Sequence, residues 1–86
     1  MGVRGSPTLH FMTVDHDSGV PLWRQIADII RGQIERKELT GRVPSIKTLG
    51  QEHGVSHVTA EHALDALRQE GLIYTVTGKG SYVSRP

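Results

Sequence analysis

Residues 42–67, RVPSIKTLGQEHGVSHVTAEHALDAL, constrain this chain more than any other stretch, because two helix starts and one helix stop fall close together in them. Ser45 follows Pro44 and stands where an N-cap belongs. Its side-chain oxygen can accept from the first turn of a segment, Ile46–His53, that places Ile46 and Leu49 on one face. Gly54 ends that segment, since glycine takes the left-handed conformation without steric cost and lets the chain reverse. Ser56 then caps a second helix. In it Ala60, Ala63, Leu64 and Leu67 recur three and four apart, and the alanines permit a close helix crossing. The opposite face carries His57, Val58, Glu61, His62 and Asp65. Two helices crossed in this way form a helix-turn-helix, whose second helix can project its N-terminal side chains into the major groove of DNA.

The flanking residues supply what such a motif needs to fold. Pro21 suits the first position of a helix, because its φ is already helical and it has no N–H to leave unsatisfied. Leu22, Ile26, Ile29, Ile30 and Ile34 then form an apolar face, with Arg24, Asp28, Arg31, Glu35 and Arg36 opposite and Trp23 as an anchor of the helix start. In the link that follows, Leu39 is expected to tuck under this helix and residues 40–42 to turn the chain. After the motif, Glu70 and Gly71 end the long helix. Residues 72–76 and 81–83 are rich in β-branched and aromatic side chains and flank Thr77, Gly78, Lys79 and Gly80, which predicts a hairpin. Glycines beside a single lysine allow the hairpin tip to approach a phosphate or a minor groove closely.

These pieces together resemble the DNA-binding domain of the GntR-type bacterial transcription regulators over roughly residues 21–83. The matching motifs are Pro-Leu-aromatic-x-Gln-Ile (Pro21, Leu22, Trp23, Gln25, Ile26), Pro-Ser-x-basic-x-Leu (Pro44, Ser45, Lys47, Leu49) and Gly-Val-Ser-x-x-Thr (Gly54, Val55, Ser56, Thr59). Ala-Leu-x-x-Leu-x-x-Glu-Gly-Leu-Ile at residues 63–73 and Gly-x-Gly-Ser-Tyr-Val at residues 78–83 complete the order. The resemblance implies a mostly α fold with a small β-hairpin, a winged helix-turn-helix of three helices and a two-stranded wing. It also implies sequence-specific binding of double-stranded DNA in transcriptional regulation of the repressor type, by a homodimer on a palindromic operator.

The DNA-binding residues expected on this basis are Ser45, Lys47, Ser56, His57, Val58, Thr59, Glu61, His62, Thr77, Gly78 and Lys79. The resemblance assigns Ser45 and Lys47 to the DNA backbone or a base edge. Three departures from the family pattern matter. Lys47 stands for a more usual arginine and offers a point charge instead of a planar fork. His57 and Glu61 stand where arginine is favoured, and Val58 replaces a common threonine. His57 can donate to guanine or phosphate, Val58 can meet a thymine methyl, and Glu61 can accept from cytosine or pair with His57 one helical turn away. The link ahead of Pro44 is about two residues short, which puts the first strand of the usual sheet in doubt.

The formal charge of +1 narrows the electrostatic argument, since affinity for nucleic acid then depends on where the charges sit. The rival expectation is therefore a winged-helix module for protein interaction, with weak or no DNA binding. Absence of cysteine excludes disulfides, thiol catalysis and cysteine-held zinc. Five histidines raise a metal site, but His62 is rotated about 100° from Glu61 and the spacing supplies no third ligand. No metal, cofactor or enzymatic activity is expected, and no apolar run reaches the length of a membrane span. A cytoplasmic regulator follows as the expectation. Residues 1–19 show no periodicity and read as a disordered arm, its first eleven residues an expression remnant ahead of Met12, with residues 20–84 as the domain, 85–86 as a tail and no effector-binding domain in the chain.

Overall fold

The computed structural model describes residues 14–84. Pro21, at φ −54° and ψ 144°, stands one position outside the first helix, α1 (Leu22–Glu35), and its carbonyl accepts from the amides of Arg24 and Gln25. Two further helices follow, α2 (Ile46–His53) and α3 (His57–Gln69), and then the strands β1 (Ile73–Val76) and β2 (Gly80–Val83). The strands pair antiparallel, with Tyr74 opposite Tyr82 and Thr75 opposite Ser81. Three helices and a two-stranded wing make the winged helix-turn-helix that the sequence predicts.

One core joins all of these elements. Ile26, Ala27 and Ile30 of α1 meet Ala60, Ala63, Leu64 and Leu67 of α3, while Leu49 of α2, Val43 of the link and Ile73 of β1 close the cluster. Each of these is essentially withdrawn from water. A fully buried Ile or Leu contributes about 1.5–3 kcal/mol, so a core this small depends on every member. Val43 reaches it because its amide donates to Ser81 O at 2.8 Å and Val83 N donates to Gly41 O at 2.9 Å. Between them Arg42 bridges Tyr82. The strand left in doubt by the short link survives as that single bridge.

The turn expected at residues 40–42 lies earlier, at the end of α1. Lys37 adopts a left-handed conformation, φ 62°. Its amide donates to Ile34 O, and the amide of Glu38 donates to Gln33 O at 2.8 Å, which is the Schellman ending of a helix. The same pair of bonds closes α3 at Gly71, and at the end of α2 the left-handed Gly54 lets its own amide and that of Val55 both donate to Gly50 O.

The expected arm also differs. Residues 1–13 and 85–86 lie outside the described residues, but residues 14–19 are laid against the helices. Val14 packs on the core. The Gln25 side chain accepts from Asp15 N at 2.6 Å and donates to the carbonyls of Asp15 and Val20 at 2.9 Å. This grip comes from one side chain satisfying three backbone groups, and it leaves no periodic trace in the sequence.

Lys37 is the one non-glycine residue at positive φ among those described, and a Cβ in that region costs roughly 1 kcal/mol. Lys37→Gly is expected to stabilise the fold by about 0.5–1 kcal/mol, read from the urea midpoint at unchanged m-value. A lowered midpoint would show that the lysine stem contributes more than its backbone strain removes.

Candidate nucleic-acid interface

Both motif helices open with the same four-residue device. The Ser45 hydroxyl accepts from Thr48 N at 3.1 Å and donates to Thr48 Oγ1 at 3.0 Å; Ser56 does the same with Thr59 at the same distances. Each serine proton is thus engaged inside its cap, and the outward-facing donor passes to the threonine. Thr59 was expected at the interface on the sequence; Thr48 was missed, although Ser-x-x-Thr recurs at both starts.

Beyond the caps, the first turns of α3 present an exposed surface. Val58 is 75% exposed, the most open of the large apolar side chains among the described residues, and no packing role accounts for it. His57 and Glu61 point to solvent with Nε2 and Oε1 3.9 Å apart, so the pairing weighed from the sequence is present. His62 is not brought to this group. Its ring stacks on Trp23 of α1, with centroids 4.1 Å apart and planes 16° from parallel, on the side of α3 that faces α1. Trp23 is therefore the anchor that was expected, and it holds the flank of α3 as well as the start of α1.

At the wing, Lys79 N donates to Val76 O at 2.9 Å and closes a tight turn through Thr77 and Gly78, with Gly78 at φ 79° and Gly80 at φ 120°. Thr77, Gly78 and Lys79 are exposed there.

The charge distribution resolves the difficulty raised by the small net charge. Arg31 is held by Asp28 and Glu70, Arg36 by Glu38, and Arg68 by Asp65. Hydrogen bonds from Arg31 draw the Glu70 carboxyl below the usual range, and those from Arg36 do the same for Glu38. Most of these acids are therefore spent on arginines away from the α3 start. Arg42, Lys47 and Lys79 have no ion-pair partner among the described residues.

Arg42, which sequence reading did not single out, lays its guanidinium over Gly80, at the turn end of the wing. A Cβ at Gly80 would come within 3.2 Å of its Nε and 3.3 Å of its Nη2, so the absent side chain at 80 is what lets the guanidinium lie there. It lines an open groove of about 410 Å³ together with Ser45, Glu61, Arg68, Thr75 and Gly80. The signal that would have found it is the basic residue immediately before the Val43-Pro44-Ser45 cap; its position on the wing depends on a contact between residues 42 and 80 that no local pattern encodes.

His53, close to these groups in sequence, is removed from the surface. It is 8% exposed, in a pocket with Ile29, Ile30, Leu39, Pro44 and Leu49, and its Nδ1 has no hydrogen-bond partner. Its backbone carbonyl lies 3.1 Å from His16 Nε2, which ties residues 14–19 to the α2–α3 turn. Among the described residues no three His, Asp or Glu side chains converge as metal ligands, and no helix is long and apolar enough to cross a membrane.

The sequence profile described as "Bacterial regulatory proteins, gntR family" matches residues 22–83. An uncharacterized HTH-type transcriptional regulator of Rhizobium meliloti, RB1450, is 45% identical over 84% of this chain and 30% of its own length. The HTH-type transcriptional repressor NagR of Bacillus subtilis is 34% identical over 87% of this chain and 32% of its own. The chain thus spans about a third of the length of these curated relatives. Among solved structures, YtrA from Sulfolobus acidocaldarius, a GntR-family transcription factor, superimposes with a TM-score of 0.79 at 32% identity over 88% of this chain and 82% of that one. The DNA-binding domain of AraR in complex with operator ORX1 gives 0.78 at 26% identity, over 84% of this chain and 94% of that one.

Burial holds the His53 imidazole below its ordinary titration range, against a weaker opposing effect of Glu52. The unfolded chain therefore takes up a proton here before the folded one does, and stability rises with pH through this window. Folding stability is expected to be full above about pH 7 and to fall as the pH drops from there towards 5, ahead of carboxylate titration. Urea denaturation across that range checks this. His53→Leu should flatten the profile, and an unaltered slope would remove His53 as its source.

Proposed function

Because this chain belongs to the GntR family of bacterial regulatory proteins, we propose that it is the operator-reading part of a transcriptional regulator, acting on double-stranded DNA in the manner of a repressor. In this reading the N-terminal turns of α3 enter the major groove, the wing reaches the neighbouring minor groove, and the protein works in the bacterial cytoplasm. The observation that carries it is that three cations without an ion-pair partner among the described residues, Arg42, Lys47 and Lys79, belong to the link, the α2 start and the wing, while Asp28, Glu38, Asp65 and Glu70 are held by arginines. Phosphates supply the missing counter-charge. Thr48 and Thr59 donate to the backbone from the two caps, Val58 meets a thymine methyl, and His57 and Glu61 read or exclude bases according to their mutual pairing. Repression as an outcome is supported by relatives such as NagR and the mannosyl-D-glycerate system repressor MngR of Escherichia coli, which carry that name.

Binding of this kind weakens with salt in proportion to the phosphates neutralised. Arg42→Ala, Lys47→Ala and Lys79→Ala are each expected to lower the slope of log affinity against log salt by about one unit, for operator and random duplex alike. Lys37→Ala, at the far end of α1, should leave it unchanged. Fluorescence anisotropy over a salt series measures the slope, and wild-type binding that is absent or insensitive to salt would favour the protein-interaction module instead.

Assembly on DNA follows from the same surface. Among the described residues the exposed large apolar side chains, Val20, Val58 and Tyr74, lie ahead of α1, on α3 and on β1, and form no continuous seam for a partner. Two copies are expected to meet on a palindromic operator while remaining monomeric, or weakly paired, without it. Sedimentation should therefore give a monomer alone and two chains per palindromic duplex. A tight dimer in the absence of DNA would overturn this.

A further inference from the structure

The hairpin has to stand at a fixed angle to α3 if both are to reach one duplex; the core holds it at Ile73, and the link pairs with β2 as far as Ser81, whose carbonyl accepts from Val43 N. Ile73 is buried, whereas Tyr74 and the turn are exposed. Further out, among the described residues, a single hydrogen bond joins α3 to the hairpin strands: Arg68 Nη1 donates to Thr75 Oγ1 at 3.1 Å. The other end of the guanidinium, Nη2, is held by Asp65 Oδ1 at 3.3 Å, and Asp65 Oδ2 accepts in turn from Gln69 Nε2 at 2.7 Å. Across the hairpin, Thr75 Oγ1 and Ser81 Oγ are 3.0 Å apart, between residues that are partners in the strand register. A chain of hydrogen bonds thus runs from the α3 surface through Arg68 and Thr75 to Ser81 on the second strand.

We propose that Arg68 is a positioning residue that sets the inclination of the wing against the recognition helix, so that the wing's contribution to DNA binding depends on it. This rests on the DNA-binding reading above. Lys79 stands two residues beyond Ser81, the register partner of Thr75, so at about 3.3 Å per residue the tip lies roughly 7 Å past the anchor. A tilt of about 20° there moves the lysine backbone by roughly 2 Å, enough to break a phosphate contact. The residue type fits the task. A planar fork can bond an acid and a hydroxyl at once, which a lysine ammonium cannot do in the same rigid geometry. The link is also partly exposed, so it adds little to folding stability. Its value lies in direction.

The test is a double-mutant cycle on the described chain, read as affinity for one operator-type duplex at low salt. Lys79→Ala is expected to weaken the wild-type chain about five-fold, but an Arg68→Met chain less than about two-fold, because the misaligned wing no longer contributes. Thr75→Val, which keeps shape and removes the hydroxyl, should reproduce Arg68→Met, while Thr75→Ser should bind as wild type. Thermal midpoints should stay within a few degrees throughout. Additive losses overturn the proposal. So does weakening by Arg68→Met that Thr75→Val fails to share, since that would make Arg68 a direct phosphate contact. A wild-type chain that binds no duplex would sink the DNA-binding reading itself, which separates the two failures.

Discussion

The close crossing of α1 and α3 is the contact on which the other elements depend. Ala60 and Ala63 bring the α3 backbone against Ile26, Ala27 and Ile30 with no water between them. A larger side chain at either alanine would push the helices apart and open the seat that Leu49, Val43 and Ile73 share. Those three residues come from α2, the link and the wing. Every part of the DNA-facing surface is therefore positioned by one apolar cluster, and the polar contacts refine an arrangement that the cluster has already set.

What the sequence revealed, and what it hid, divides along the range of the interactions. Ser45, Ser56, Gly54 and Gly71 act within a few residues of themselves, and each does in the structure what its chemistry announced. Lys37 acts just as locally but carries the wrong side chain for its conformation, so the turn was placed three residues too late. The bridge of Arg42 to Tyr82, the burial of His53 and the stack of His62 on Trp23 all require elements distant in sequence to meet. No periodicity reports such meetings. Of the residues proposed for the interface, those of the α3 start and the wing tip were legible because they belong to motifs. Arg42 and Thr48 were not, since one depends on a glycine nearly forty residues away and the other on a cap that hands its donor outward.

Charge shows a related division between amount and placement. A net charge of +1 says little about nucleic acid, because the acids do not compensate the bases uniformly. Glu70 and Asp28 brace Arg31 between α1 and the end of α3, and Asp65 braces Arg68 towards the wing. Of the cations left over among the described residues, Arg42, Lys47 and Lys79 lie on the link, the α2 start and the hairpin, and Arg24 and Lys37 on and just after α1. Local potential follows from this sorting, and the sum over the chain conceals it.

The two faces of α3 answer to different demands. Its inner residues are fixed by packing, and its caps by hydrogen bonds that hold whatever lies in the groove outside. His57, Val58 and Glu61 touch little of the protein, so exchanging them costs the fold almost nothing. Selection can then rewrite the site this helix reads without renegotiating stability at each step, and a lineage of such domains can diverge in vocabulary while keeping one grammar.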